Sequence, residues 1–181
     1  PAALEMMDQL ITRAVEEAYH FGFPLDAGAI LIVELDGLTD GIEGQGQIVE
    51  TICKNNKARE VRVAKDEEER AAIWKCRKRA FGAVGRISPN YLTQDGVVPR
   101  SKVPEIMRFI KATSEKYNLR IPNVFHAGDG NIHPLILFDE RKEGEVKQAL
   151  RAGEDILNRC IAMGGSVSGE HGIGAEKIGC M

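Results

Sequence analysis

The sequence lacks any hydrophobic run long enough to cross a bilayer. Its longest unbroken stretch of apolar and glycine residues, 27–33, has seven members, whereas a transmembrane helix needs about 20. Residues 1–5 carry neither a basic segment nor an apolar core, so no signal peptide is expected. Excess basic charge is also missing, since the formal net charge is −3. These absences argue against a transmembrane protein and against a surface built for nucleic acid or anionic lipid.

Common cofactor and metal motifs are missing as well. Gly41, Gly44 and Gly46 do not have the Gly-x-Gly-x-x-Gly spacing that cradles a dinucleotide between a strand and a helix. No Cys-x-x-Cys pair occurs among the four cysteines, which predicts free thiols in a reducing compartment rather than a disulfide or zinc-finger scaffold. We therefore expect the isolated chain to hold no dinucleotide tightly by such a motif.

The composition suits one folded domain. The chain has 181 residues, of which 43% are hydrophobic and 28% are charged, and this is enough to bury a core in a single domain over 1–181. Because the first residue is Pro1 rather than Met, we expect the sequence to be a piece of a longer chain.

Helices and strands alternate along the sequence. Apolar periodicity and capping signals predict helices over 3–20, 39–55, 66–84, 101–117 and 143–163. Strands are predicted over 29–35 (buried), 59–63, 91–94, 124–126 and 132–138. The strands are short, and one pair has a hairpin signal. We therefore expect an α+β fold with an antiparallel sheet flanked by helices.

Two histidines flank a glycine-rich turn signal, in the segment His126-Ala-Gly-Asp-Gly-Asn-Ile-His133. A two-residue turn at Asp129-Gly130 would place His126 directly opposite His133. Opposed side chains on one face of an antiparallel pair have Cβ atoms about 4.5–5.5 Å apart, so both imidazoles could bind one ion. The alternative is a pair of structural histidines in or on the sheet.

A second glycine-rich segment contains Glu170 and His171 between Gly169 and Gly172. Its carboxylate could complete a site of two histidines and one carboxylate with open coordination positions, a pattern typical of catalytic zinc. The alternative is a loop in which both side chains are solvated.

Arg77 falls on the apolar face of the predicted 66–84 helix, whereas Lys75, Lys78 and Arg79 fall elsewhere and are expected to be solvated. A guanidinium facing a core needs an anion. That anion is either an internal carboxylate or the carboxylate of a substrate.

Several of these motifs together resemble the FAD-linked oxidases related to vanillyl-alcohol oxidase. The resemblance is carried by both histidine segments, and by residues 1–5, 33–37, 74–77 and Asp95-Gly-Val-Val-Pro-Arg100. Within that family the sequence is most similar to the branch that includes the FAD-linked subunit of glycolate oxidase and D-lactate and D-2-hydroxyglutarate dehydrogenases. The resemblance implies a C-terminal, ferredoxin-like cap domain over the flavin. The FAD-binding domain would precede it, and a C-terminal tail would follow.

The resemblance also implies roles for individual residues. His126, His133 and Glu170 match ligands of a divalent metal, often zinc, and His171 matches the base that takes the substrate's hydroxyl proton. Arg77 matches the residue that binds the substrate carboxylate, and Asn131 and Gly172 match positions that contact the flavin.

The resemblance further implies a small substrate. Relatives that oxidise dicarboxylates have Lys at the position of Thr93 and Thr at the position of Phe81, so a monocarboxylate such as glycolate or D-lactate is expected. The whole enzyme would be a flavoprotein that transfers hydride from a 2-hydroxy acid to FAD, and the isolated chain would be inactive.

The resemblance implies partners and a location too. The FAD-binding domain of the same chain is one partner, and other oxidase subunits, including an iron–sulfur electron acceptor, are further ones. The expected location is the cytoplasm, with peripheral attachment to the inner membrane through such subunits as the alternative. Two other functions fit the residues: a metal-dependent hydrolase using the His-His-Glu set, and a metal-binding module without catalytic activity.

Overall fold

Helices cover both faces of a central layer of antiparallel strands. The computed structural model describes residues 1–175 and 177–180, with Thr39 described by its backbone alone. Within these residues the strands are β1 (Ala3–Asp8), β2 (Ala29–Glu34), β3 (Asn90–Thr93), β4 (Gly96–Val97), β5 (Val124–His126), β6 (Asn131–Ile132) and β7 (Leu135–Phe138). The helices are α1 (Gln9–Tyr19), α2 (Thr39–Asn55), α3 (Glu67–Val84), α4 (Val103–Tyr117) and α5 (Glu145–Ala162), with short 3-10 turns at Arg100–Lys102 and Ile178–Cys180. The expected α+β class is confirmed.

The strands form a five-stranded sheet of order β2-β1-β5-β6-β4 and a separate pair, β3-β7. Side chains alternate across the strands. Val124 and Leu135 pack in one core with α1 and α3, whereas Phe125 and Ile136 pack in a second core with α4 and α5. A period of two is what a sheet covered on both faces requires. The strand layer is therefore held between two pairs of helices.

The prediction of one helix over 3–20 is wrong for its first six residues. β1 is an interior strand of the five-stranded sheet, antiparallel to β2 on one side and to β5 on the other. Glu5 and Met7 are buried at alternate positions. Asp8 then caps α1, its carboxylate accepting a hydrogen bond from the N–H of Ile11 at 3.0 Å. Pairing on both edges therefore overrides the helical spacing of Leu4 and Met7.

Three strand predictions also need correction. Residues 59–63 form no strand, and Val63 is 73% exposed. β2 is an edge strand rather than a buried one, with Leu31 49% exposed. The predicted strand 132–138 is divided at Pro134, so that β6 and β7 belong to different sheets.

Other predictions are confirmed. Asp66 caps α3 through the N–H of Glu69 at 2.8 Å, as the Asp-x-x-Glu signal predicts. The four cysteines are free, and Cys180, the last residue of the second 3-10 turn, is buried. Among the described residues, no helix combines the length and apolar character that crossing a membrane requires.

Candidate functional site: a histidine–carboxylate cluster

The turn between β5 and β6 has four residues rather than two. His126 pairs with Asn131 instead of His133, so the predicted register is wrong. The N–H groups of Asp129 and Gly130 both donate to the carbonyl oxygen of His126, at 3.1 Å each. Gly130 has φ +75°, and a Cβ there would lie 2.1 Å from the carbonyl oxygen of Val98. The close approach of a neighbouring segment thus requires glycine at this position and sets the longer turn.

The two histidines nevertheless come together. Their rings lie 5.3 Å apart, nearly perpendicular at 84°. Glu170 reaches both of them, since its Oε2 is 3.5 Å from Nε2 of His126 and 3.3 Å from Nε2 of His133. The predicted trio is therefore brought to one place by β5, the segment after β6 and the distant glycine-rich segment.

The trio fits a divalent metal ion. Its ligand atoms all lie within 4.8 Å of one another. Two ligands held about 2.0–2.1 Å from a tetrahedral zinc ion are about 3.3 Å apart, close to the Nε2–Oε2 distances. Burial lowers the pKa of His133 from its ordinary value, which favours the neutral imidazole that ligation needs. Glu170 is half exposed, so the cluster is open on one side.

Asp95, which sequence reasoning did not assign to the site, anchors the segment carrying Glu170. It is fully buried between β3 and β4. Its Oδ2 accepts hydrogen bonds from the N–H groups of residues 169–171 at 2.8–3.0 Å and from the hydroxyl of Ser168 at 2.9 Å. The ammonium group of Lys177 lies 3.7 Å away.

These contacts determine the protonation of Asp95. Burial alone would raise its pKa, but the hydrogen bonds from His171, Glu170, Ser168 and Gly169 outweigh burial and lower the pKa to about 2. Its Oδ1 is 3.9 Å from Nδ1 of His133, too far for a direct hydrogen bond. A fixed negative charge therefore lies beneath the trio.

Arg77 points inward, as predicted, and its anion in the structure is an internal carboxylate. Its Nε and Nη2 lie 2.9 and 2.8 Å from Oε2 of Glu5. The other carboxylate oxygen of Glu5 is 2.7 Å from Nδ1 of His126. The buried Glu5 therefore joins Arg77 to His126, a candidate metal ligand. Binding of a substrate carboxylate by Arg77 stays a prediction.

His171 joins the same cluster from the exposed side. Its ring stacks on that of His133, with centroids 5.1 Å apart and planes 13° apart. The backbone N–H of His171 is held by Asp95 at 2.8 Å. The imidazole is thus exposed while its main chain is fixed, which suits a group that exchanges protons with a small molecule.

The predicted flavin contacts lie on the flank of this cluster. Asn131 is buried, and its Oδ1 has no hydrogen-bond partner among the described residues. Gly172 has φ +81° and open space where a Cβ would stand. A free amide oxygen and a bare backbone fit contact with a polar ring system, and the flavin role of both residues stays a prediction.

The structure also places Phe81 and Thr93, the two positions from which the resemblance predicts a small substrate. The ring of Phe81, on α3, meets His133 edge-on at 6.2 Å. Thr93 ends β3 opposite Leu135, two residues before Asp95. Neither residue supplies a cation near the trio.

The structure thus combines an α+β fold with a His-His-Glu trio and a buried helical arginine that is joined to the trio through Glu5. The chain belongs to the family described as FAD linked oxidases, C-terminal domain, whose model matches residues 1–181. Glycolate oxidase subunit GlcD of Escherichia coli K12 is 51% identical over 181 residues, covering 100% of this chain and 36% of that protein. GlcD of Bacillus subtilis 168 is 36% identical over 177 residues, covering 98% of this chain and 38% of that protein.

D-lactate dehydrogenases are similar as well. The probable mitochondrial D-lactate dehydrogenase of Danio rerio is 32% identical over 179 residues, covering 97% of this chain and 35% of that protein. The chain thus spans little more than a third of the length of these relatives. A solved 4-ethylphenol oxidase from Gulosibacter chungangensis, in complex with isoeugenol, has the same fold with a TM-score of 0.59. It is 13% identical, covering 91% of this chain and 38% of that one.

Proposed function

We propose that this chain is the substrate-binding cap domain of an FAD-dependent oxidoreductase that converts a 2-hydroxy acid to a 2-oxo acid. The observation that carries the proposal is the placement of His171 against the trio of His126, His133 and Glu170. Membership in the FAD-linked oxidase family and the names of the relatives, glycolate oxidase subunit and D-lactate dehydrogenase, support it.

Two residues of this chain would act on different groups of a small substrate. Arg77 binds the carboxylate, since its five N–H donors exceed the two that Glu5 engages. An imidazole nitrogen of His171 takes the proton when the substrate O–H bond breaks, and the carbonyl double bond forms as hydride leaves Cα. The two groups come from different elements and would contact opposite ends of the substrate.

Two absent groups complete the chemistry. FAD, held mainly by another domain with contacts from Asn131 and Gly172, supplies the two-electron acceptor. A divalent ion such as zinc, held by His126, His133 and Glu170, would lower the pKa of the substrate hydroxyl. The substrate is proposed to be glycolate or D-lactate, because Thr93 and Phe81 offer no second cation for a dicarboxylate.

The assembly and location are proposed on the same basis. Two of these relatives are named as subunits of glycolate oxidase, so we propose that the longer enzyme assembles with further subunits, one of them an iron–sulfur electron acceptor. It would act in the cytoplasm or peripherally at the inner membrane.

The substrate assignment is tested in the longer FAD-containing enzyme by anaerobic flavin reduction with glycolate and with D-lactate. Arg77→Lys keeps the charge but loses the two-pronged contact, so KM is expected to rise and kcat to fall. Arg79→Lys, an exposed substitution of the same kind on α3, is the control. Unchanged kinetics in Arg77→Lys would refute carboxylate binding by Arg77.

The metal assignment is tested on this chain by elemental analysis and calorimetry with zinc and manganese. Weak or partial binding is expected in the wild type, because the trio supplies three ligands and is open on one side. The double variant His126→Ala/His133→Ala should lose that binding. Equal affinity in both proteins would remove the metal site, and hydrolytic turnover with zinc alone would instead support a hydrolase.

A further inference from the structure

Glu5 is a buried carboxylate that joins two residues of the candidate site. It is 6% exposed and lies on β1, directly opposite His126 in the antiparallel register of β1 and β5. One of its oxygens contacts Nδ1 of His126 at 2.7 Å. The other accepts a hydrogen bond from Nε of Arg77 at 2.9 Å and lies 2.8 Å from its Nη2 in an ion pair. A single side chain thus lies between the trio and the arginine.

The contact with His126 has a chemical consequence. A neutral imidazole has one N–H donor and one lone-pair nitrogen, and a hydrogen bond at one nitrogen sets the state of the other. A carboxylate oxygen only accepts, so the proton of His126 belongs on Nδ1. The lone pair then belongs on Nε2, the nitrogen that faces Glu170 at 3.5 Å.

The contact with Arg77 explains how such a carboxylate is tolerated. An unpaired buried carboxylate is costly, and the guanidinium compensates its charge through one hydrogen bond from Nε and an ion-pair contact from Nη2. The position is also fixed by the backbone, because opposed residues of an antiparallel pair keep their Cβ atoms within about 5.5 Å. Glu5 therefore has little freedom to turn away from His126.

We propose that Glu5 is a positioning residue that fixes the Nδ1–H tautomer and the ring orientation of His126, so that Nε2 presents its lone pair to the trio. The role of this tautomer in metal binding rests on the proposed metal site, but the tautomer itself is set by Glu5 without metal. Hydrogen-bonded carboxylates that orient metal-binding histidines are typically worth 10–100-fold in metal affinity.

The test uses nitrogen NMR of this chain labelled with ¹⁵N-histidine, without metal. Wild-type His126 is expected to be the Nδ1–H tautomer. In Glu5→Gln the side chain has one oxygen, which Arg77 should take, leaving the amide N–H₂ group facing His126. Nδ1 must then accept, so His126 should change to the Nε2–H tautomer.

A second variant removes the competition for that oxygen. In Glu5→Gln/Arg77→Met the amide oxygen is free to face His126, and the Nδ1–H tautomer should return. Glu16→Gln is the matched control, because Glu16 is similarly buried but accepts from the N–H groups of Gly22 and Phe23. It should leave His126 unchanged.

Zinc calorimetry gives the second readout. Glu5→Gln should bind zinc about 10–100-fold more weakly than wild type, with Glu16→Gln unaffected. An Nε2–H tautomer in the wild type, or the same tautomer in wild type and Glu5→Gln, would overturn the proposal. Failure of wild type to bind zinc would refute the metal site instead, and the tautomers would still decide the role of Glu5.

Discussion

Flavin reduction in the longer enzyme is expected to slow about 10²–10⁴-fold when His171 is replaced by alanine, the usual contribution of a positioned general base. Substrate affinity should change little, because Arg77 is joined to His126 through Glu5, whereas His171 stacks on His133. The main chain at His171 is held by Asp95 and not by the imidazole, so the loop should keep its position.

Anaerobic single-turnover flavin reduction separates this chemical step from product release. His171→Asn should show a similar loss. The matched control is His20→Asn, since His20 follows α1 with φ 55°, a conformation that asparagine tolerates. A wild-type rate in His171→Ala would show that the proton goes to another group.

Replacing Asp95 with alanine is expected to have the largest effect on stability. The change removes the acceptor for three backbone N–H groups and one hydroxyl, and it leaves the ammonium of buried Lys177 without its nearby carboxylate. Breaking a buried charged network of this kind costs about 3–5 kcal/mol in the free energy of unfolding. Faster amide exchange over 169–171 should accompany the loss.

Urea denaturation measures this cost, with Asp66→Ala as the control. Asp66 caps α3 through one exposed hydrogen bond, and its loss should cost about 1 kcal/mol. Equal effects of the two substitutions would contradict the anchoring role of Asp95.

The stabilisation of the fold by ionised Asp95 should also depend on pH. The pKa of Asp95 is about 2 in the folded chain against 3.8 ordinarily. A lowered pKa stabilises the fold above about pH 4, and that stabilisation is lost as the pH falls towards 2. The difference in stability between wild type and Asp95→Asn should therefore shrink over this interval. Taking the difference between the two proteins cancels the contribution of Asp139, whose pKa is also lowered to about 2 by hydrogen bonds from Arg141.

Much of the architecture could be predicted because local signals and tertiary packing agree. α3 is an example: its Asp66 cap and its inward Arg77 both follow from spacing. β1 is the opposite example, since the spacing of Leu4 and Met7 suits a helix. Only pairing with two other strands, one of them about 120 residues away, makes this segment extended.

The sequence predicted the metal-ligating residues of the candidate site, but not the buried carboxylates that hold them in place. The trio and His171 could be found because metal-ligating side chains are concentrated in two glycine-rich segments. The supporting carboxylates could not, because Glu5 lay in a predicted helix and Asp95 in a short connection without periodicity. Their roles depend on contacts across 72 to 121 positions of sequence, which no local pattern encodes.

The interior position of β1, between β2 and β5, has a kinetic consequence. Its two sheet partners, β2 and β5, are separated along the chain by residues 35–123, about half of the domain. The sheet is therefore not complete until residues 3–8 have met residues 124–126. Contacts of such long range make folding slow, because loop-closure entropy is lost before the pairing compensates for it. During synthesis, β1 and β2 can form a hairpin early, but one edge of β1 stays open until the ribosome has released residues 124–126. In that interval the exposed edge is the segment most prone to pair with another chain.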